Sequence, residues 1–313
     1  MKNKPILIVP GDPESIFFEI FFKSLKKNKS KSPLILVASN KLLVSQMKKF
    51  NFSKKVNLIK IEELKDRKIN NNSINIINVN YISRNSNIYL KKCFEIAFDL
   101  IRNGYTKKFI NGPINKSNYL NKKYPGVTEY ISKKFNKDKV AMLIYNKEIS
   151  VCPLTTHLPL KLVPKKISKN LIKEKAILIN DFYKKILGFK PKIAVTGLNP
   201  HCESILKFNE DRKIIAPVIK LLKQKGFKID GPFSADTIFL KQNRIKFDVI
   251  VGMYHDQVLT PIKTIKEYDA INITLGLPFL RISPDHGPNK EMINKNLSNP
   301  LSLINAIKFL DTK

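Results

Sequence analysis

The chain has 313 residues, 43% of them hydrophobic, with a formal net charge of +32 and an isoelectric point near 9.9. That length and apolar content exclude a disordered chain and suffice for a large core divided between two domains. The charge alone would suggest a nucleic-acid partner. It comes, however, from 51 lysines spread along the chain and only six arginines (Arg67, Arg84, Arg102, Arg212, Arg244 and Arg281). Base readout favours arginine clusters and aromatic platforms, so no nucleic-acid partner is expected.

Along the chain, short β-branched runs alternate with longer amphipathic segments, as in an α/β protein with a largely parallel sheet. The first run, Ile6 to Val9, is too short for the apolar region of a signal peptide and passes directly into Gly11-Asp12-Pro13. No stretch approaches the ~20 apolar residues that span a bilayer. A soluble, cytoplasmic protein without a membrane partner is expected. Further strands are expected at 34–38, 56–60, 74–79 and 108–110, then at 140–145, 150–155, 192–196, 247–252 and 271–275. Tyr89, Cys93, Ile96, Ala97, Leu100 and Ile101 trace the apolar face of a helix ending near Gly104. A second helix should run from about Ser168 to Leu187 before Gly188. Asn209 can cap a third, carrying Ile214, Ile215, Val218 and Leu222. Residues 65–73, rich in lysine and asparagine, read as an exposed loop. The three cysteines, Cys93, Cys152 and Cys202, form no Cys-x-x-Cys pair and indicate a reducing compartment. Cys202 reads as a small buried side chain.

There are only four histidines, each in a short turn-like string: Thr-Thr-His157-Leu-Pro, Asn-Pro-His201-Cys-Glu, Met-Tyr-His255-Asp-Gln and Pro-Asp-His286-Gly-Pro. His157, His201 and His255 each follow an expected strand, where open α/β sheets place ligands. Imidazole is the commonest ligand for divalent transition metals, and three leave a coordination position open. A histidine after a strand also serves as an ordinary hydrogen-bonding loop residue, and the wide spacing excludes a local zinc-finger module.

Seven strings stand in a distinctive order: Gly112-Pro-Ile-Asn-Lys116, Gly126-Val-Thr-Glu129, Thr156-His-Leu-Pro159, Gly197-Leu-Asn-Pro-His201, Gly231-Pro-Phe-Ser-Ala-Asp-Thr237, Tyr254-His-Asp-Gln257, and the run from Asn272 to Arg281 with Asp285-His-Gly287. On these strings the chain resembles the 4-hydroxythreonine-4-phosphate dehydrogenase family of vitamin B6 biosynthesis. The resemblance implies an isocitrate/isopropylmalate dehydrogenase-like fold of two α/β/α domains with a cleft between them. The expected division is 1–130 plus 283–313 for the first domain, and 131–282 for the second, which would carry the metal ligands and the dimer interface.

The resemblance further implies that His157, His201 and His255 bind one divalent cation (zinc, cobalt or magnesium), in an active site shared between the subunits of a homodimer. Thr128, Lys263, Asn272 and Arg281 match substrate-contacting positions, and their chemistry suits a small phosphorylated amino acid. For Arg281 the alternative is a buried ion pair. Asp236 and Lys263 are the candidates for proton handling, and Asp236 has the alternative of capping a helix. Asp256 and Asp285, each beside a histidine, would orient a neighbouring ring or backbone rather than transfer protons.

The implied reaction oxidises the C3 alcohol of 4-phosphohydroxy-L-threonine by hydride transfer to NAD (or NADP), after which the β-keto acid loses carbon dioxide to give 3-amino-2-oxopropyl phosphate. No Gly-x-Gly-x-x-Gly follows a strand, so a Rossmann cofactor site is not supported. The resemblance places the nicotinamide cofactor in the interdomain cleft instead.

The chain departs from the family pattern at Val127 (usually His), at Glu14-Ser-Ile-Phe-Phe-Glu19 and Cys202-Glu-Ser-Ile-Leu206 (usually glycine-rich), at Val258 (usually Gly), and after Gly287. These departures keep two relatives of the leading function open. One is a dehydrogenase for a phosphorylated sugar acid such as threonate or erythronate 4-phosphate. The other is a degenerate, non-catalytic member that binds metal and ligand.

Overall fold

In the computed structural model, which describes residues 3–27, 29–64, 66–81, 86–115, 124, 126–203, 208–285, 287 and 289–313, the chain separates into two compact units. They are Met1–Tyr130 with Pro278–Lys313, and Ile131–Leu277. Lys65, Arg84, Lys116, residues 204–206, His286 and Pro288, which the sequence reading singled out, lie outside the described residues.

The first unit contains β1 (Ile6–Val9), α1 (Phe17–Lys27), β2 (Leu34–Ala38), α2 (Asn40–Lys49), β3 (Val56–Leu58), β4 (Ile74–Asn78), α3 (Ser86–Arg102) and β5 (Lys108–Asn111). Helix α4 (Val127–Lys134) carries the chain into the second unit. There follow β6 (Ala141–Tyr145), β7 (Ser150–Thr155), α5 (Lys169–Phe182), β8 (Lys192–Thr196), α6 (Ala216–Gln224), β9 (Lys228–Phe233), β10 (Val249–Tyr254), α7 (His255–Lys266) and β11 (Ile271–Leu275). Strand β12 (Leu280–Pro284) and helix α8 (Leu301–Asp311) complete the first unit. The expected return at residue 283 therefore comes at Pro278. The segment beyond it is a strand, in register with β5 through Leu280↔Lys108 and Arg281↔Phe109.

The first unit's strands run in the order β3-β4-β2-β1-β5-β12 and are all parallel. Its central strands Ile-Leu-Ile-Val and Leu-Ile-Leu-Val-Ala are buried throughout, because helices cover both faces of a parallel sheet. Phe94 and Phe98 on α3 meet Phe109 of β5 with ring centroids 6.0 and 5.9 Å away, and each such buried ring contributes roughly 1.5–3 kcal/mol.

In the second unit the order is β11-β6-β7-β10-β8-β9, with β7, β10, β8 and β9 parallel and β6 antiparallel to both neighbours. Helix α7 packs Val258, Leu259 and Ile262 against Ile250, Ala194 and Val151 of that sheet.

The helices form where capping and periodicity place them. Ser168 accepts a hydrogen bond from Leu171 N at 3.2 Å, and Gly188 ends the helical run that continues past α5 through Leu187, with a left-handed φ of 85°. Asn209 Oδ1 accepts from Arg212 N at 3.1 Å. Two strands were not expected. β9 contains Gly231-Pro232, a pair that reads as a breaker, and β12 interrupts its apolar residues with Arg281 and Ser283. Strand β10 lies two residues further along than expected, so His255 is the first residue of a helix and not part of a turn. Cys202 is half-buried, whereas Cys93 and Cys152 are buried; burial pushes both of these thiols up to about 12.

Candidate active site and metal centre

Adjacent strand ends in the second unit bring the expected metal ligands into one neighbourhood. Tyr254 of β10 pairs with Thr155 of β7, so His255 and His157 both leave the sheet at its carboxyl edge. On the other side of β10, β8 ends at Thr196 and leads through Gly197-Leu-Asn-Pro to His201. The next strand, β9, pairs Phe233 with Thr196 and runs on to Ser234 and Asp236. Four neighbouring parallel strands thus deliver three histidines and a carboxylate to the same edge, the usual ligand side of an open α/β sheet.

The rings of His157 and His255 have centroids 6.1 Å apart at 35°. With metal–nitrogen distances of about 2.1 Å, two imidazoles on one ion place their centroids roughly 5–6 Å apart, so this pair stands at the outer edge of that range. His255 Nδ1 lies 2.6 Å from Asp256 Oδ1, which leaves Nε2 free of that contact. His201 is 75% exposed, and its Nδ1 lies 3.5 Å from Ser234 Oγ and 4.0 Å from Asp236 Oδ2. Among the described residues, no group of three His, Cys, Asp or Glu side chains is close enough to hold a metal ion. The structure therefore brings His157 to His255 and sets His201 with Asp236 on the neighbouring strand ends. Asp236 is inside a short helical turn, Ala235–Ile238, whose N-cap is Ser234, so it is not the cap.

The loop that carries His201 is fixed by side chains that carry no obvious chemistry in the sequence. Asp211, 1% exposed, accepts from Leu198 N at 2.7 Å, Asn199 N at 3.2 Å and Asn199 Nδ2 at 2.8 Å. Gln257 accepts from Met253 N at 2.7 Å and Thr196 Oγ1 at 2.8 Å, and donates to Gly197 O at 2.8 Å. His157 and His201 adopt left-handed φ values of 52° and 53°, a conformation uncommon for a side-chain-bearing residue.

Lys263 lies on the exposed side of α7, eight residues beyond His255 and so about 12 Å further along the helix axis. Asn272 stands on β11 opposite Ile144, half-buried, and its Oδ1 is buried with no hydrogen-bond partner among the described residues. A buried acceptor left in this state costs about 1–3 kcal/mol, which a donor on a ligand would recover.

In the first unit, Arg281 is 2% exposed and Nε donates to Asn111 Oδ1 at 2.7 Å, while a terminal guanidinium nitrogen is 3.3 Å from Thr128 Oγ1. Burial pushes its pKa down to about 10, an effect opposed by the nearby Glu129 carboxylate. Two of the expected substrate residues, Thr128 and Arg281, are therefore in contact. Asn111 completes the cluster and was not anticipated; its position just before Gly112 in the first matching string was the only signal. A Cβ at Gly112 would collide with the Pro10 carbonyl oxygen, so close backbone approach requires glycine there.

Comparison with known proteins matches residues 29–310 to the family model described as pyridoxal phosphate biosynthetic protein PdxA. The chain belongs to the PdxA family. It is 35% identical over 97% of its length to a 4-hydroxythreonine-4-phosphate dehydrogenase of Sulfurihydrogenibium sp. (strain YO3AOP1), 96% of which is covered. It is 33% identical over 99% of its length to the protein of the same name from Aquifex aeolicus (strain VF5), 98% of which is covered. The crystal structure of a 4-hydroxythreonine-4-phosphate dehydrogenase from Klebsiella pneumoniae superposes with a TM-score of 0.82 at 27% identity, covering 98% of both chains.

Within this PdxA frame the unusual residues have definite places. Val127 opens α4 beside Thr128, half-buried. Val258 is fully buried, and its Cγ1 occupies the space in front of Gly252. No described helix is long and apolar enough to cross a membrane.

Proposed function

We propose that the chain is a cytoplasmic, homodimeric 4-hydroxythreonine-4-phosphate dehydrogenase. It oxidises 4-phosphohydroxy-L-threonine at C3 with NAD or NADP as hydride acceptor. The 3-oxo acid then decarboxylates to 3-amino-2-oxopropyl phosphate, a step toward pyridoxal phosphate. The reading is carried by end-to-end likeness to relatives of that name, with the three histidines at adjacent strand ends supporting it.

His157, His201 and His255 would hold the divalent cation (zinc, cobalt or magnesium), the set being completed in the dimer, whose interface lies on the second unit. A three-imidazole set favours a borderline transition ion, while substrate oxygens would suit a harder one. When bound, such an ion supplies Lewis acidity that acidifies the substrate hydroxyl and stabilises the charge left as carbon dioxide departs.

The protein's own groups do the rest. Arg281, fixed by Asn111, and Thr128 bind the substrate's anionic group through charge-assisted and neutral hydrogen bonds. Asn272 Oδ1 accepts from a substrate donor, since it has no other partner among the described residues. Asp236, beside His201, takes up the hydroxyl proton, and Lys263 returns a proton to the carbon that loses carbon dioxide.

Val127 favours one further reading, a dehydrogenase for threonate or erythronate 4-phosphate, because an apolar side chain beside Thr128 offers no hydrogen bond to an amino-acid substrate. The test follows NADH formation by metal-loaded protein with each substrate, alongside a chelator-treated sample. Chelator-sensitive turnover selective for 4-phosphohydroxy-L-threonine supports the leading reading. Preference for the sugar acid reassigns the substrate, and no turnover by folded, metal-loaded protein points to the non-catalytic binder.

A further inference from the structure

We propose that Gln257 is a positioning residue that locks the His201 loop to the start of the His255 helix and so fixes where each imidazole stands. The inference rests on the metal reading above and concerns a side chain outside the ligand set. Gln257 is the third residue of α7, two positions after His255, and its side chain folds back across the end of the sheet. One end of its amide meets Met253 N, which can only donate, and the Thr196 hydroxyl, and the other meets Gly197 O, which can only accept. A main-chain N–H cannot accept and a carbonyl cannot donate, so the amide has a single allowed orientation.

Each partner belongs to a different arm. Met253 is in β10, two residues before His255, whereas Thr196 and Gly197 end β8 and begin the loop to His201. That loop is held at its other points by Gly197 N donating to Phe233 O at 2.8 Å and by Asp211. Asp211 and Phe233 lie in elements that carry neither histidine. Gln257 ties the two arms to each other at their ends through Met253 N, Thr196 Oγ1 and Gly197 O, beside a longer contact of 3.4 Å from Thr196 Oγ1 to Val251 O of β10. Thr196, fully buried, adds the hydroxyl that completes the acceptor end.

Glutamate at this position keeps the shape but removes the donor, placing a carboxylate oxygen against the Gly197 carbonyl. Methionine keeps the approximate size and removes all three bonds. Both changes loosen the tie between the two arms beyond the paired strands β8 and β10 while leaving every histidine in place.

The test measures Co²⁺ and Zn²⁺ affinity of full-length metal-free protein by competition with a chromophoric chelator, together with thermal unfolding of the same samples. Wild type, Gln257→Glu, Gln257→Met, Thr196→Val and His255→Ala are compared. Gln257→Glu and Gln257→Met are expected to weaken affinity by about 10–100-fold, the range typical of supports behind metal ligands, and Thr196→Val by a few-fold. Affinities within twofold of wild type in folded Gln257 variants, with His255→Ala impaired, overturn the proposal and leave the metal reading standing. A lowered melting temperature with unchanged affinity assigns Gln257 a structural role only, and likewise overturns it. If the Gln257 variants fail to fold, Thr196→Val decides: weakened binding supports the lock and wild-type binding refutes it. Wild-type protein that takes up neither ion overturns the metal reading and this inference with it.

Discussion

Replacing Arg281 by methionine should separate stability from function. The guanidinium is 2% exposed, and burial pushes its pKa down to about 10. A lowered pKa in a cation means that the fold disfavours the charged form. At about 1.4 kcal/mol per pH unit, carrying the charge costs the folded state about 3 kcal/mol at neutral pH, well below both the folded and the ordinary pKa. Against this stand the hydrogen bonds to Asn111 and Thr128, worth about 1.5–3 kcal/mol for a charged donor, with the longer 3.3 Å contact at the low end. The two terms nearly cancel, so Arg281→Met should change unfolding free energy by no more than about 1–2 kcal/mol in either direction. Substrate binding should suffer much more. Loss of one or two charge-assisted bonds to a substrate anion predicts a rise in KM of about 10²-fold with a smaller change in kcat. Denaturant titration and steady-state kinetics on the same preparation measure both. A loss of more than about 4 kcal/mol in stability with an unchanged KM would make Arg281 a structural ion and refute the reasoning.

Other consequences are equally direct. His201→Ala and His255→Ala should each abolish metal-dependent turnover while circular dichroism stays native, and full activity in either variant would remove that histidine from the ligand set. Partial burial pushes the Asp311 carboxyl up, but the N–H groups of Lys31 and Ser32 outweigh it and hold the pKa below the ordinary value. The ionised form is thus the one that stabilises the fold. The stability gap between wild type and Asp311→Asn should be constant above about pH 5 and shrink as pH falls through the depressed pKa; denaturant titrations from pH 7 to 3 that show a pH-independent gap would contradict this. Gly112→Ala, whose new methyl would meet the Pro10 carbonyl oxygen and the Phe17 ring, should cost about 3 kcal/mol or more, read as a fall in the denaturation midpoint.

The parallel core was legible because its strands are continuous apolar runs. Strands β1, β2, β7, β8 and β11 have the bounds expected from composition alone. Strand β9 was hidden by Gly231-Pro232. Strand β12 was hidden because Arg281 is a buried cation in a strand, a choice that makes sense only once Asn111 and Thr128 are beside it. The histidine motifs marked three strand ends, but not which of those ends would be neighbours. That depends on the β7-β10-β8 order, in which the latest of the three strands in sequence lies between the other two. Asp211 and Gln257 escaped notice for a related reason. The loop groups they hold lie about 12 and 60 residues away, and nothing in local periodicity marks a carboxylate or an amide that will serve a distant loop.

The central claim is oxidation at C3 followed by loss of the carboxyl group. It is tested most directly by supplying 4-phosphohydroxy-L-threonine labelled at the carboxyl carbon and measuring labelled carbon dioxide against NADH in the same reaction. The account predicts equal amounts of both, abolished together by a chelator and restored together by Zn²⁺ or Co²⁺. NADH without carbon dioxide would show a simple alcohol dehydrogenase, and the absence of both from folded, metal-loaded protein would contradict the assigned activity.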